Sequence, residues 1–373
     1  MTLQTISGQP SWQLENDTVH AAVSRLGGML APVRFRLPKR EVQPFSISPW
    51  ATERLGAGIP SVLKALRGDF LCMPFGGNEA PFQSEQHPPH GETASRAWTF
   101  VSTSEGANSK ELLLRMETKI RPARVDKMIR LVSGHTAVYL RHTIEGMRGP
   151  MTFGHHATLA FPAGEGSARI SSSPLTFGQV CPTPFEDPTK GGYPCLRQGA
   201  RFDALERVPA ADGSIADLSV YPAREGFEDL VMFAHAQDED FAWTAAVVAA
   251  EGYVWFALKD PRVLTATACW MSNGGRHYAP WNGRHRGVLG LEDVTSCFHF
   301  GIEASAAAKL PFVTSHDFDG SAFVISYIMG VAPVPKTFGK VKLVERTKRG
   351  VVLTDEHGKS VRTAVDHEFL HSA

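Results

Sequence analysis

The side chains able to do chemistry in this chain lie in groups far apart in sequence. Arg67, His87 and His90 share one polar stretch; His155 and His156 are adjacent; Glu228 and Asp229 precede an apolar run; Glu292 and Asp293 follow a glycine and a leucine. A metal site would need converging ligands, and His87, His90 and Glu92 cluster in one stretch. Two prolines stiffen the segment HPPH into an extended form in which side chains three apart diverge, and the spacing matches no standard ligand run, so no metal is expected. Nucleophilic catalysis has no GxSxG elbow to support it, and Cys72 and Cys269 sit in apolar strand contexts where a thiol is generally inert. No GxGxxG or Walker signature is present to cradle phosphates. What remains is acid and base work by an imidazole and a carboxylate brought together from distant strands.

The elements that must position these groups read as short β-strands. Segments such as WQLEN and MLAPVRFRL run four to nine residues between Gly, Pro, Asn and Asp breaks, and KELLLRMETKI and LTATACWMS continue the β reading. In AVYLRHTIEG, residues Val138, Leu140, His142 and Ile144 alternate with polar neighbours, the pattern of a half-buried antiparallel strand in which His142 is expected as a hydrogen-bonded core residue. FAWTAAVVA and YVWFALKD form a hairpin closed through Ala250, Glu251 and Gly252. The stretch from Arg67 to Trp98 is expected as a long loop with strand entries at RGDFLCMPF and ETASRAWTF. The segment from Ser172 to Gln198 lacks periodicity and is expected to lie over the surface. No stretch has a helical moment over twelve residues, so the chain is expected to be all-β with at most short helices.

Composition narrows the partners. The 38 basic and 38 acidic side chains balance, which argues against a nucleic-acid or anionic-membrane surface. The basic residues after Lys336 are interrupted by Glu345 and read as a solvated strand face. Five scattered cysteines without a CxxC pair form no disulfide framework. With no basic and apolar leader and no long apolar run, a soluble cytoplasmic protein that binds a small neutral molecule is expected, without a membrane partner.

The ordered segments RGDFLCMPFGG, PHGETASRAW, GHHATLAF, GFEDLVMF and GLEDV resemble the aldose 1-epimerases and their relatives in the galactose mutarotase-like superfamily, in order and rough spacing across residues 20 to 305. The resemblance implies a large antiparallel β-sandwich, taken as one domain over residues 1–373 with residues 320–373 as a C-terminal β extension of it, and a monomer or homodimer. It implies an isomerase that interconverts the α and β anomers of a sugar without metal or organic cofactor. Residue by residue, Glu292 would be the general base, His156 the general acid and His90 a group polarising the ring oxygen. Arg67 would bind sugar hydroxyls, and Asp229 or Glu228 would hold distal ones. His155 competes with His156 for the cleft, since strand alternation lets only one face it. Beside a carboxylate, the histidine is expected to stay charged near pH 7. The segment ATLAFP lacks the aromatic residue and Asn that typical members carry after the second histidine. NGGRHYAPWNGRHRG supplies Arg276, His277, Tyr278, Trp281 and His285, a mixture suited to a sugar, with Trp281 as a stacking surface. A non-catalytic carbohydrate-binding protein on the same scaffold is the alternative, needing the arginine and aromatic groups but not the acid and base.

Overall fold

The structure is a computed structural model and describes residues 1–372. Strand makes up 49% of it and helix 7%, and among the described residues no α-helix is longer than the six residues of Ile302–Ala307. The alternation read from the sequence is therefore the organising pattern, and two antiparallel sheets carry it.

Six strands of one sheet hold the residues of interest. In chain order they are β1 (Leu71–Cys72), β2 (Phe153–Ala160), β3 (Leu175–Val180), β4 (Phe227–His235), β5 (Ala266–Asn273) and β6 (Val288–Thr295). They lie side by side as β3-β4-β5-β6-β2-β1. Facing them is a nine-stranded sheet whose centre is built by Tyr253–Lys259, Phe323–Pro333, Ala137–Glu145 and Ala123–Val132. Ala157, Leu159, Leu289, Leu291, Val231 and Phe233 of the first sheet meet Leu140, Ile129, Trp255, Tyr327 and Met329 of the second in one apolar core. Because side chains alternate along a strand, a core on one face leaves the residues between, such as His156, Glu292 and Trp270, on the other.

The remaining elements cover the outer faces. A sheet of five strands at the N-terminus contributes Trp12, Leu14, Val33 and Phe35 to the main core. Three strands, Val341–Thr347, Gly350–Asp355 and Ser360–Ala364, lay Val344 and Leu353 against Tyr139, Trp243, Phe256 and Ile328 on the outer face of the nine-stranded sheet. The strand Phe323–Pro333 is itself central to that sheet, so the added layer begins at Val341; Ala373 lies outside the described residues. Lys342, Arg346, Lys348 and Arg349 of this layer are exposed.

Three local expectations change. Gly91–Ser95 is a short helix, where a strand entry was expected, because the Glu92 carboxylate accepts from Arg96 one turn on and from the backbone N–H groups of Lys119 and Ile120. The segment after Ser172 forms β3 at a sheet edge and packs a half-buried Phe185 against an apolar cluster. His142 is fully buried as expected, but neither ring nitrogen meets a hydrogen-bond partner; it packs against His155 and Trp98.

Candidate active site

Cross-strand register assembles the centre of the site. His156 on β2 stands directly opposite Glu292 on β6, and Glu292 opposite Ala268 on β5; one row over, Thr158, Gly290 and Trp270 align in the same way. His156 Nε2 lies 3.2 Å from Glu292 Oε1, both side chains being almost wholly buried. The other ring nitrogen, Nδ1, is 3.0 Å from Thr158 Oγ1. Phe70 stacks on the His156 ring at 4.5 Å between centroids, and His90 meets it edge-on at 4.9 Å.

Above this pair is a cavity of about 600 Å³ counted out to its mouth. Its walls include Trp270, Trp281, Phe185, Leu230, Arg276 and His299, besides Phe70, His90, His156 and Glu292. The mixture of aromatic faces with a few convergent polar groups suits a small polar ligand. His90 enters because its backbone is left-handed, with φ 57°, and Gly91 follows at φ 75°. A Cβ on Gly91 would stand 1.9 Å from the Met73 carbonyl oxygen, so only glycine allows the chain to turn there and swing the imidazole inward. Asn78 fastens the loop by donating to the carbonyls of Pro74, Gly76 and Pro88.

Electrostatics follow from burial. Glu292 is pushed well above the usual carboxylate range by loss of solvent, with Arg276 working the other way. His156 is held well below the ordinary histidine value, first by burial and then by His90. The charged imidazolium expected beside a carboxylate is thus overturned: removing both ions from water outweighs their attraction, and the pair is driven toward its neutral forms. Burial lowers His90 to about 3 and His299 to about 4. On Arg276 burial acts downward but is outweighed by Glu228 and Glu186, which hold the guanidinium above its usual value. Its Nε lies 2.5 Å from Glu186 Oε1, and the guanidinium sits over the Trp281 ring at 4.5 Å.

Several residues singled out in the sequence fall elsewhere. Arg67 does not reach the cavity. It is fully buried, donates to the carbonyls of Ala65, Ile6 and Ser7, and so ties the N-terminal hairpin to the helix Ser61–Ala65, with burial lowering its pKa to about 10. His155 points to the other face of the sheet, where its Nδ1 is 2.9 Å from Asp69 and its ring stacks on Tyr327. Asp229 shares that parity and accepts from the backbone of Cys195 and Leu196, burial raising it to about 6. Glu228 is on the site's face but behind the wall: it accepts from Trp270 Nε1 and Ser272 Oγ, and burial raises it to about 7. His87 pairs with Glu85, which also takes Arg121, while Glu92 is engaged in its own helix. These two do not converge with His90 on a common point.

A scan against models of protein families finds no match, and a search of curated proteins finds none. Solved structures do match over most of the chain. A provisionally assigned aldose 1-epimerase from Escherichia coli K12 superposes with a TM-score of 0.57 at 14% identity, covering 88% of this chain and 100% of its own. A galactose mutarotase related enzyme from Lactobacillus acidophilus gives 0.55 at 13%, with 89% and 100% covered. A provisionally assigned aldose 1-epimerase from Klebsiella pneumoniae gives 0.58 at 16%, with 87% and 79% covered. The fold is galactose mutarotase-like.

Within this mutarotase-like fold, the named wall residues that the sequence reading did not single out are Phe70, Phe185, Leu230, Trp270 and His299. Arg276 stood in the loop noted for its sugar-suited mixture, and Trp270 shares strand parity with Ala268, so a pairing of β5 with β6 would have placed it. His299 follows the end of β6 and carried no periodic signal; its carbonyl accepts from Gly77 N–H and its ring meets Phe185 edge-on. Among the described residues no group of three or more His, Cys, Asp or Glu is arranged to hold a metal ion, and no helix is long and apolar enough to cross a membrane.

Proposed function

We propose that the protein is an isomerase of the aldose 1-epimerase type, acting on a sugar through His156 and Glu292. The observation that carries the reading is this one buried acid and base pair, 3.2 Å apart, beneath an aromatic-walled cavity. Driven toward its neutral forms, the pair holds one proton, which resides on Glu292 and is shared with Nε2. Moving that proton to Nε2 creates an ionised base and a charged acid without exchange with solvent. Glu292 then takes the proton of the anomeric hydroxyl while His156 gives its own to the ring oxygen, and the ring opens. Rotation about the first carbon-carbon bond and reversal of the transfers yield the other anomer. Each general acid or base typically contributes about 100- to 10,000-fold.

The walls supply orientation. His90, kept neutral, can donate a hydrogen bond to the ring oxygen; Arg276 presents its free N–H groups to hydroxyls; Trp270 and Trp281 offer faces for the apolar side of a sugar ring. The test is polarimetry on freshly dissolved anomers of a panel of aldoses and aldose phosphates, with calorimetry on the same panel. Faster mutarotation of at least one sugar supports the reading. Binding without acceleration would instead make this a carbohydrate-binding protein, and neither result for any sugar would remove the sugar site.

A further inference from the structure

The row of residues directly beneath the acid and base pair has chemistry of its own. Thr158 and Gly290 are cross-strand partners on β2 and β6, each two residues from a member of the pair and therefore on the same face. Thr158 is fully buried, and its hydroxyl lies 3.0 Å from His156 Nδ1 and 3.4 Å from the His156 carbonyl oxygen. A hydroxyl proton directed to that carbonyl would leave Thr158 Oγ1 as an acceptor, with the ring proton on Nδ1 and a bare lone pair on Nε2 facing Glu292. Gly290 acts by what it lacks. The three heavy atoms nearest to a Cβ built there all belong to Glu292, with Oε1 at 2.4 Å, Cδ at 3.2 Å and Cγ at 3.2 Å. The carboxyl group lies down on bare backbone, and any side chain at 290 would push it off.

We propose that the cross-strand pair Thr158 and Gly290 is the positioning element of the site, Thr158 fixing the tautomer of His156 and Gly290 seating the carboxyl of Glu292 within reach of Nε2. The catalytic consequence rests on the isomerase reading; the geometric one does not. Neither residue touches the cavity, so both act through their neighbours.

The experiment uses the full chain with Thr158→Val, Thr158→Ser and Gly290→Ala, read by histidine ring-nitrogen NMR and by mutarotation kinetics. In the wild type the His156 signals should report a proton on Nδ1. Thr158→Val, which keeps the shape and loses the hydroxyl, should shift the proton to Nε2 and lower kcat about 10- to 100-fold with KM nearly unchanged, and Thr158→Ser should restore both. Gly290→Ala should lower kcat by a similar factor and change the His156 signals, whereas added to Glu292→Ala, where no carboxyl remains to displace, it should leave those signals as they are in Glu292→Ala alone. An unchanged tautomer in Thr158→Val overturns the first half, and an unchanged His156 signal in Gly290→Ala overturns the second. If the wild type accelerates no sugar, the function fails while the NMR arm still decides the positioning; if Thr158→Val does not fold, Thr158→Ala removes the same hydroxyl and decides the tautomer, and the Gly290 cycle decides the seating.

Discussion

Replacing Glu292 by glutamine separates the chemistry of the site from its shape. The carboxamide has the size of the carboxyl, rests on Gly290 in the same way, and can donate to His156 Nε2, so the cavity and the sugar contacts are retained. What is lost is the buried carboxyl 3.2 Å from His156 Nε2, and with it the shared proton. Loss of one general base lowers turnover about 100- to 10,000-fold, equivalent to about 3 to 5 kcal/mol in the barrier. Stability should move in the opposite direction. The folded-state pKa of Glu292 is raised by burial, so the folded protein binds that proton more tightly than the unfolded chain does. Stability from this group is full below the unfolded value and declines as pH rises toward the folded one, by about 1.4 kcal/mol per pH unit in that window. Glu292→Gln lacks the decline, so its advantage over the wild type should grow with pH. Polarimetry gives the first quantity, and urea unfolding at several pH values gives the second. Turnover within tenfold of wild type, or a stability difference that ignores pH, would refute the reasoning.

The other outcomes are equally direct. Arg276→Gln should raise KM about tenfold or more by removing charged hydrogen-bond donors from the wall, whereas Arg67→Met should leave KM unchanged and lower stability by about 3 kcal/mol, since three backbone carbonyls lose their buried partner. Gly91→Ala should displace His90 and its loop, seen as a lowered Tm together with loss of sugar binding by calorimetry, because both its φ and the Met73 carbonyl exclude a side chain. His142 is held well below its usual value by burial, so its contribution is intact above pH 6.5 and is lost as pH falls; the stability of His142→Met relative to wild type should therefore improve by about 1.4 kcal/mol per unit below pH 6.5, as measured by urea titration.

The strands were legible in the sequence because period-two alternation is a local property: a sheet with one face on a core dictates apolar residues at every second position, as in Ala123–Val132 and Ala137–Glu145. The same rule stated that His155 and His156, or Glu228 and Asp229, must part company across the sheet. It could not say which member faces the cavity, because parity is relative until a second sheet packs on one side. Packing of Leu289 and Leu291 against the nine-stranded sheet decided it, sending Glu292 and His156 outward and His155 and Asp229 inward. Arg67 shows the opposite limit. An arginine in a polar, glycine-rich stretch reads as a ligand, but its partners at Ile6 and Ser7 are some sixty residues away, and the sequence does not show that three carbonyls converge there. The helix at Gly91–Ser95 was hidden for a like reason, since Glu92 draws on backbone donors at Lys119 and Ile120. The residue types of an acid and base site, and the strands that carry them, were therefore set by the sequence alone. Their pairing, their protonation and the wall around them came from strand register and burial, which exist only once distant segments have met.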